Sequence, residues 1–354
     1  MAFSSVGLSY AQTQEETNSH DVMAISQTHE EHAEDAAHQE VYNPKEVIMH
    51  HIMDENVFPI WGDIELPLPV MIRKADGQWS FGMSSQYEEA KDGLILSHGK
   101  IVNADTHDAK GLLDFSITKN VFMMILSVIL LFIIFFTIKN AYNKQGVNSA
   151  PKGLQSLLEP VFTFLIDDVM KPSFGHHYMK YIPYVFSVFF FVLINNLLGL
   201  VPFFPGGANV SGNISFTLTL AVITFLITNI KGTKHYWSHI VAMPGVPKPV
   251  LLILTPLEIL GLFTKPFALM VRLFANITSG HTIVLSLVSL IFILGKSGAQ
   301  IGGAVGGASV AVPFVLFMNA LELLVAFLQA YIFALLSAIF IGMALEDEHQ
   351  EEII

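Results

Sequence analysis

The sequence predicts an all-α integral membrane protein: five transmembrane helices plus one interfacial amphipathic helix, the last two spans long and tilted, with a small β-containing insert outside the membrane ahead of them. Three observations predict it. Hydrophobic residues make up 52% of the 354 positions and charged residues only 14%, a balance that excludes a disordered chain. The charge is unevenly placed: residues 1–118 hold 20 Asp/Glu and 6 Lys/Arg, a net of −14, whereas 119–354 hold 10 and 12, a net of +2. The acidic character therefore belongs to an N-terminal extension. Finally, apolar runs of at least about 17 residues recur from residue 119 onward, enough to cross a hydrocarbon core.

Residues 1–56 read as a signal-like, acidic and His-rich extension. Met1–Gln12 ends like a secretory signal with cleavage near Ala11 but lacks a positive n-region. A shortened signal peptide and an ordinary N-terminus both fit. Residues 12–40 are polar and expected to be disordered. His29, His32, His38, His50 and His51 tempt a metal reading, but His29-Glu30-Glu31-His32 has the wrong spacing for the metalloprotease helix motif. A solvated acidic segment explains them, and no metal site is assigned. The insert occupies 57–110. There the run Ile64–Arg73, the turn signal Asp76-Gly77 and then Gln78–Phe81 predict a hairpin with edge-type prolines.

Residues 111–345 form the membrane domain and 346–354 an acidic tail. The spans are 119–138, 181–203, 214–230, 254–294 and 311–344. Residues 152–170 carry Leu154, Leu157, Leu158, Val161, Phe162, Leu165 and Val169 at helical spacing, but also Asp167, Asp168 and Pro160. An amphipathic helix at the interface fits them better than a span. Lys139, Lys144, Lys152, Lys171 and Lys180 lie in one loop region and Lys231, Lys234 and Lys248 in another. Basic loops belong on the cytoplasmic side. The N-terminal extension is then periplasmic and the C-terminal tail cytoplasmic, in a bacterial inner membrane. Helices of about 40 residues run about 60 Å against a core of about 30 Å, so the last two must tilt or protrude. Gly302-Gly303-Ala304-Val305-Gly306-Gly307 lacks the Lys-Ser/Thr of a phosphate loop and reads as a flexible turn before the last helix. The chain offers no nucleotide motif, no nucleophile constellation, no cofactor site and no basic surface for nucleic acid. With no cysteine it has neither disulfides nor thiolate metal sites.

The polar residues inside the spans carry the functional reading. Arg272 lies mid-span, at a cost of about 2.5–3.5 kcal/mol on insertion scales unless it finds a partner or water. Arginine stays protonated, so it acts as a fixed charge and cannot carry protons. The nearest acid on its own helix, Glu258, is fourteen residues away. A carboxylate of another subunit, or a buried acid elsewhere in the chain, must answer it. Asn276 shares its face one turn on. His281, nine residues on, points the other way at about 100° per residue. On the last helix Asn319, Glu322, Gln329 and Ser337 form a polar stripe. With the two helices antiparallel and Gln329 level with Arg272, Glu322 and His281 fall at nearly one depth. A histidine near a partly buried carboxylate suits proton relay, and it equally suits a structural pair. Thr217, Thr224 and Thr228 share a face with Asn213 at its mouth, and Asn195 and Asn196 interrupt the preceding span. They could line a wet path, or the threonines could bond back to their own helix. Glu258 and Lys265 could line an exit path or snorkel.

These residues resemble a known family. Lys265-Pro266, then Val271-Arg272-Leu273-Phe274-Ala275-Asn276 and Gly280, is similar to the hallmark of subunit a of F-type ATP synthases. Leu328-Gln329-Ala330-Tyr331-Ile332-Phe333, Ile194–Pro202, Pro151–Glu159 and the His50-His51 pair resemble it too, so the likeness covers roughly 110–348 and part of 40–60. The resemblance implies a stationary channel subunit of the membrane Fo sector, without nucleotide chemistry of its own. Its partners would be a ring of c subunits, b-type peripheral-stalk subunits and the lipid bilayer. Arg272 would attract the ring carboxylate and separate two half-channels. His281, Glu322, Gln329, Asn276, Asn196, Asn319, Glu258 and Lys265 would line the ion path. The ion, proton or sodium, would be set by ligands mostly on the c subunit. Asn213 and Gly199 depart from the acids that many members carry. A stand-alone secondary transporter is the alternative, but it calls for internal repeats, broken helices and its own midplane carboxylate. A membrane anchor with a sensing domain leaves Arg272 and Gln329 unexplained.

Overall fold

The computed structural model describes residues 52–345 except 62–63, 98, 147–149, 202–203, 242, 244–245 and 297–299, together with 44, 45 and 48. The signal-like segment, the N-terminal histidines including His50 and His51, and the acidic tail lie outside the described residues. Among the described residues, five helical stretches are long and apolar enough to cross a membrane, and short strands precede them.

The strands form three small antiparallel sheets. β1 (Val57–Trp61) pairs with β2 (Ile64–Pro67). β3 (Pro69–Arg73) pairs with β4 (Trp79–Met83), Arg73 opposite Trp79, as the Asp76-Gly77 turn predicts. β5 (Leu94–Ser97) pairs with β6 (Lys100–Asn103), and β7 (Leu113–Asp114) adds to the free edge of β3. The sequence run Ile64–Arg73 is not one strand. It divides at Leu68, whose N–H donates to Ser84 Oγ at 3.1 Å while its side chain is buried. That single anchored residue sends β2 and β3 into different sheets.

α1 (Lys119–Gln145) starts at the cap Thr118 and stops at Gly146, whose φ is +76°. It is longer than the span expected at 119–138 because its polar last turns continue the helix. α2 (Leu154–Phe164) runs through a π-helical turn at Leu165–Met170 into α3 (Lys171–Phe174). After a short turn at Gly175–His177, α4 (Tyr178–Leu200) follows. The amphipathic segment thus joins the next span almost without a break. α5 (Ile214–Lys231) is capped by Asn213, whose Oδ1 accepts from Ser215 N at 2.9 Å. α6 (Lys234–Val241) is a short helix that the polar loop composition hides from a sequence reading. α7 (Lys248–Leu294) and α8 (Ile301–Leu345) are the two long helices. At 47 residues α7 runs about 70 Å.

The flexible turn expected at 302–307 is a correction: these residues are the first turns of α8. Gly303 and Gly307 serve close packing instead, whereas Gly302 and Gly306 face open space. A Cβ on Gly303 would collide with the carbonyl oxygen of Leu294, and one on Gly307 would lie 3.2 Å from Ile291 Cα. Contacts of Leu294 with Gly303, Ile291 with Gly307 and Gly280 with Glu322 fix an antiparallel register between α7 and α8. Carried along the pair, that register puts Gln329 level with Arg272.

The sheets are mounted firmly on the helices. Phe58 and Leu68 belong to the same hydrophobic core as Met123 of α1 and the buried faces of α4 and α8. Phe58 meets Phe122 edge-on at 5.4 Å and Phe204 at 5.6 Å. Glu55 and Lys119 form an ion pair at 3.6 Å with both side chains at least 96% buried, at 1% and 4% exposure. Asp54 accepts from Thr118 Oγ1 at 2.9 Å and Asn120 N at 3.2 Å. Breaking one side of a buried pair leaves an uncompensated charge, at a cost of about 3–5 kcal/mol. Lys119→Met should therefore lower stability by that order, and Lys119→Met with Glu55→Leu should recover much of it. Thermal unfolding of the solubilised chain measures both; equal losses in the two variants would show that the pair's charge is not what matters.

Candidate functional site

Arg272 occupies the outward face of α7, exposed on the surface of the chain. Every ion pair resolved among the described residues involves other groups, so no buried acid of those residues answers it. Asn276, one turn on, is exposed on the same side. Gln329, level with Arg272 on α8, is 4% exposed and turns inward.

Beyond Arg272 toward the Leu294 end of α7, four polar side chains converge. Asn196, Asn276, His281 and Glu322 line one pocket of about 240 Å³, closed by Leu200 and Ile277. His281 Nε2 points at Gly199 of α4, 3.8 Å from where a Cβ would stand there. Glu322 lies across from Gly280: a Cβ on Gly280 would come within 2.5 Å of Glu322 Oε1. The glycine leaves the carboxylate its place. That oxygen is buried and has no hydrogen-bond partner among the described residues. Asn319 does not join them; it is exposed one turn further out.

Asn196 is held from two directions. Its Nδ2 donates to the Ala326 carbonyl at 3.0 Å, and the Ser211 hydroxyl donates to its Oδ1. Asn195 faces the other way, donating to Ser127 Oγ at 3.0 Å and the Phe191 carbonyl at 2.8 Å. The two asparagines thus split: Asn195 braces α1, and Asn196 sits in the pocket.

Toward the Lys248 end of α7 a second, wider cleft of about 920 Å³ opens, lined by His235, Tyr236, His239, Glu258 and Lys265. A smaller pocket of about 340 Å³ continues it inward past Lys265 to Thr224, Thr228 and Asn229. Thr217 and Thr228 bond back to their own helix, at 3.1 Å to the Ile214 carbonyl and 2.8 Å to the Thr224 carbonyl. Thr224 does more, because its hydroxyl bridges Tyr184 Oη at 2.7 Å and Ser337 Oγ at 3.2 Å. Lys265 Nζ lies 5.8 Å from the centre of the Phe340 ring. The tyrosine 236 hydroxyl, outside the spans, is held above its usual pKa first by burial and then by nearby Glu258.

The profile of the ATP synthase A chain family matches residues 121–342. The chain belongs to this family. That profile holds all of these membrane residues, from Asn196 to Ser337. A second profile, a domain of unknown function (DUF8433), matches residues 47–121 and takes in the three sheets up to the start of α1. ATP synthase subunit a 2 of Chlorobaculum tepidum is 41% identical over 323 residues, 88% of this chain and 77% of that one. The ATP synthase subunit a of Chloroherpeton thalassium is 44% identical over 243 residues, 68% and 70% of the two chains. The ATP synthase subunit a 2 of Prosthecochloris aestuarii is 40% identical over 329 residues, 90% and 86%.

Within the A chain fold, the sequence reading missed Ser211, Tyr184, His235 and His239. Ser211 sits in an uncharged loop, and Tyr184 looks like one more aromatic of an apolar helix. His235 and His239 stand one turn apart on α6 and could have been found by that spacing alone. Asn196→Leu should remove the acceptor of Ser211 and the donor to Ala326, costing about 1–3 kcal/mol for the polar groups left unpaired. A thermal melt of the solubilised chain reads this, with Ser211→Ala expected to cost less because it orphans one group only.

Proposed function

We propose that the chain is the stationary ion-conducting subunit of the membrane Fo sector of an ATP synthase, set against a rotating ring of c subunits and held by b-type peripheral-stalk subunits. One observation carries the reading: a permanent positive charge, with no acid partner among the described residues, stands on the outer face of α7 between two separate polar cavities.

Each part then has a task. Arg272 attracts the deprotonated carboxylate of a ring subunit at the chain's surface. Because arginine does not give up its proton, it can neither accept nor pass one. It therefore separates the cavities while pulling the ring carboxylate into its charged form. Glu322 and His281 take protons from the periplasmic side and deliver them through the pocket shared with Asn196 and Asn276. The cleft at Glu258, Lys265, His235 and His239 opens to the cytoplasm and takes the proton that the ring releases there. Separation matters because a charge crossing the membrane freely would dissipate about 2.3 kcal/mol per 100 mV. The relatives bearing the name ATP synthase subunit a support this role, and the basic loops support the orientation, with the N-terminal module periplasmic. A stand-alone transporter would need its own carboxylate opposite Arg272, and Glu322 lies in a pocket about 10 Å along the helix from that level.

The decisive measurement is ion-driven ATP synthesis in vesicles. Arg272→Ala should abolish coupled synthesis, and retained coupling would sink the mechanism. Glu322→Gln, which keeps the shape and removes the proton-carrying group, should slow proton flux by about a hundredfold or more, within the range of general acid–base effects. Unchanged flux across pH 6–8 would return Glu322 and His281 to a structural role.

A further inference from the structure

An antiparallel sheet with one buried face normally turns polar side chains to the other. The β4–β3–β7 sheet does not. Its inner face carries Val70, Ile72 and Ser80, packed on Tyr87, Leu94 and Ile101. Ser80 bonds there to Tyr87 Oη and Asp92 Oδ2, both at 2.8 Å. Its outer face carries Met71, Trp79, Phe81, Met83, Leu113 and Phe115, all exposed, with Phe81 at 59% and Phe115 at 58%. β4 is thus inverted, with its aromatic residues outside and its serine inside. Trp79 gathers the patch, stacking on Phe81 at 5.9 Å and meeting Phe115 at 5.8 Å, with Arg73 5.9 Å above its ring.

The position of this face says what covers it. Beyond β7 the chain keeps pairing with β3: Phe115 N donates to the Met71 carbonyl and Ile117 N to the Pro69 carbonyl, both at 2.9 Å. Thr118 then caps α1. The patch therefore runs directly into a helix whose Ile125, Val128, Ile129 and Phe132 are exposed apolar surface of a membrane span. Depth agrees. Leu68, just before β3, lies in the core shared with Met123. At about 3.3 Å per residue, Met71, with Phe81 and Phe115 paired beside it, stands at most about 10 Å from that level, within side-chain reach of the headgroup layer beside a core about 30 Å thick. Their order fits as well: Met83 nearest α1, the two phenylalanines next, and Trp79 with Arg73 farthest out. Tryptophan favours the membrane–water boundary, and arginine can anchor there beside it. The buried Glu55–Lys119 pair and Phe58 hold the module in place at that boundary.

We propose that the outer face of the β4–β3–β7 sheet rests on the lipid headgroup layer on the side of the membrane where α1 begins. It is a lipid-docking surface of the 47–121 module, anchored by Trp79, Phe81 and Phe115. The inference needs α1 to span the membrane and does not depend on the ion path.

The chain has no cysteine, so one substitution gives it a single labelling site. Phe81→Cys carrying a nitroxide is examined in the full synthase in phospholipid vesicles, with the labelled unsubstituted synthase subtracted. Glu89→Cys, exposed on the module away from the patch, is the solvent reference, and Ile129→Cys is the lipid reference. Collision rates with oxygen and with a water-soluble nickel chelate are compared. At Phe81→Cys the oxygen-to-nickel ratio should exceed the Glu89→Cys value several-fold and approach that of Ile129→Cys. A ratio equal to Glu89→Cys would mean that the face is solvated. Shielding from both reagents would mean that protein, either another subunit or a second copy, covers it. Either result overturns the proposal. Phe115→Cys repeats the test from the other edge of the patch.

Discussion

The close antiparallel contact of α7 and α8 is the constraint on which the rest of the structure depends. Where Gly303 and Gly307 face Leu294 and Ile291, side chains are too large to fit and the backbones meet. That contact sets the register for the full length of both helices. It brings Glu322 against Gly280, one residue from His281, and it levels Gln329 with Arg272. The same register brings Ser337 to the depth of Lys265, beside the pocket that Thr224 lines. A slip of one helical turn, about 5.4 Å, would carry Glu322 past His281 and Gln329 past Arg272. Arg272, Gln329 and Glu322 are placed relative to one another by this packing.

α4 supplies the second restraint. Its buried face meets α8 through Phe189 and Phe333 and the small residues Ala326, Ala330 and Ala334. Small residues let helix backbones approach, which in a membrane substitutes for the hydrophobic drive available in water. The close approach puts the Ala326 carbonyl in reach of Asn196. Asn196 then also receives the loop through Ser211, and Thr278 reaches the same loop at the Gly212 carbonyl, 3.4 Å away. The pocket around Glu322 is thus bounded by α4, α7 and α8, with the loop after α4 tied to its rim. That loop meets the N-terminal module at Phe204 and Phe58.

Much of this was legible in the sequence, for reasons that differ by feature. The spans were legible because a bilayer demands long apolar runs, and the β3–β4 hairpin because Asp76-Gly77 is a strong local turn signal. Arg272, His281 and Glu322 stood out because polar groups are rare inside such runs. What was not legible depends on contacts between distant segments. Gly302–Gly307 looks like a loop by composition, and only the facing end of α7 makes it helix. The break at Leu68 depends on Ser84, sixteen residues on. The strand at Trp79–Met83 was legible, but its facing was not, since nothing local says that Ser80 will find Tyr87 and Asp92. The Glu55–Lys119 pair joins residues 64 positions apart, and no periodicity connects them.

The arrangement also constrains how an ion could pass. Between Lys265 and Asn276, α7 offers Pro266, Phe267, Ala268, Leu269, Met270, Val271, Leu273, Phe274 and Ala275 around a single polar group, Arg272. The level stretch of α8 offers only Gln329 and Tyr331 among apolar residues. Leu269, Met270, Leu273, Ala330 and Phe333 are buried there. Over about ten residues, or about 15 Å, the described α7–α8 seam offers only Arg272, Gln329 and Tyr331 as polar side chains. The fixed positive charge makes this band more hostile still to a cation, and at low dielectric its repulsion is strong. Widening either cavity would not join them without removing this packed layer. On the proposed path from Glu322 to Glu258, an ion would bypass this layer outside the chain, on a group that takes it up, meets Arg272 and releases it. A carboxylate on a moving partner has those properties, whereas a fixed one would stay paired with the arginine. On that proposal, the exposed position of Arg272, costly for an isolated chain in a bilayer, serves the contact with the moving group.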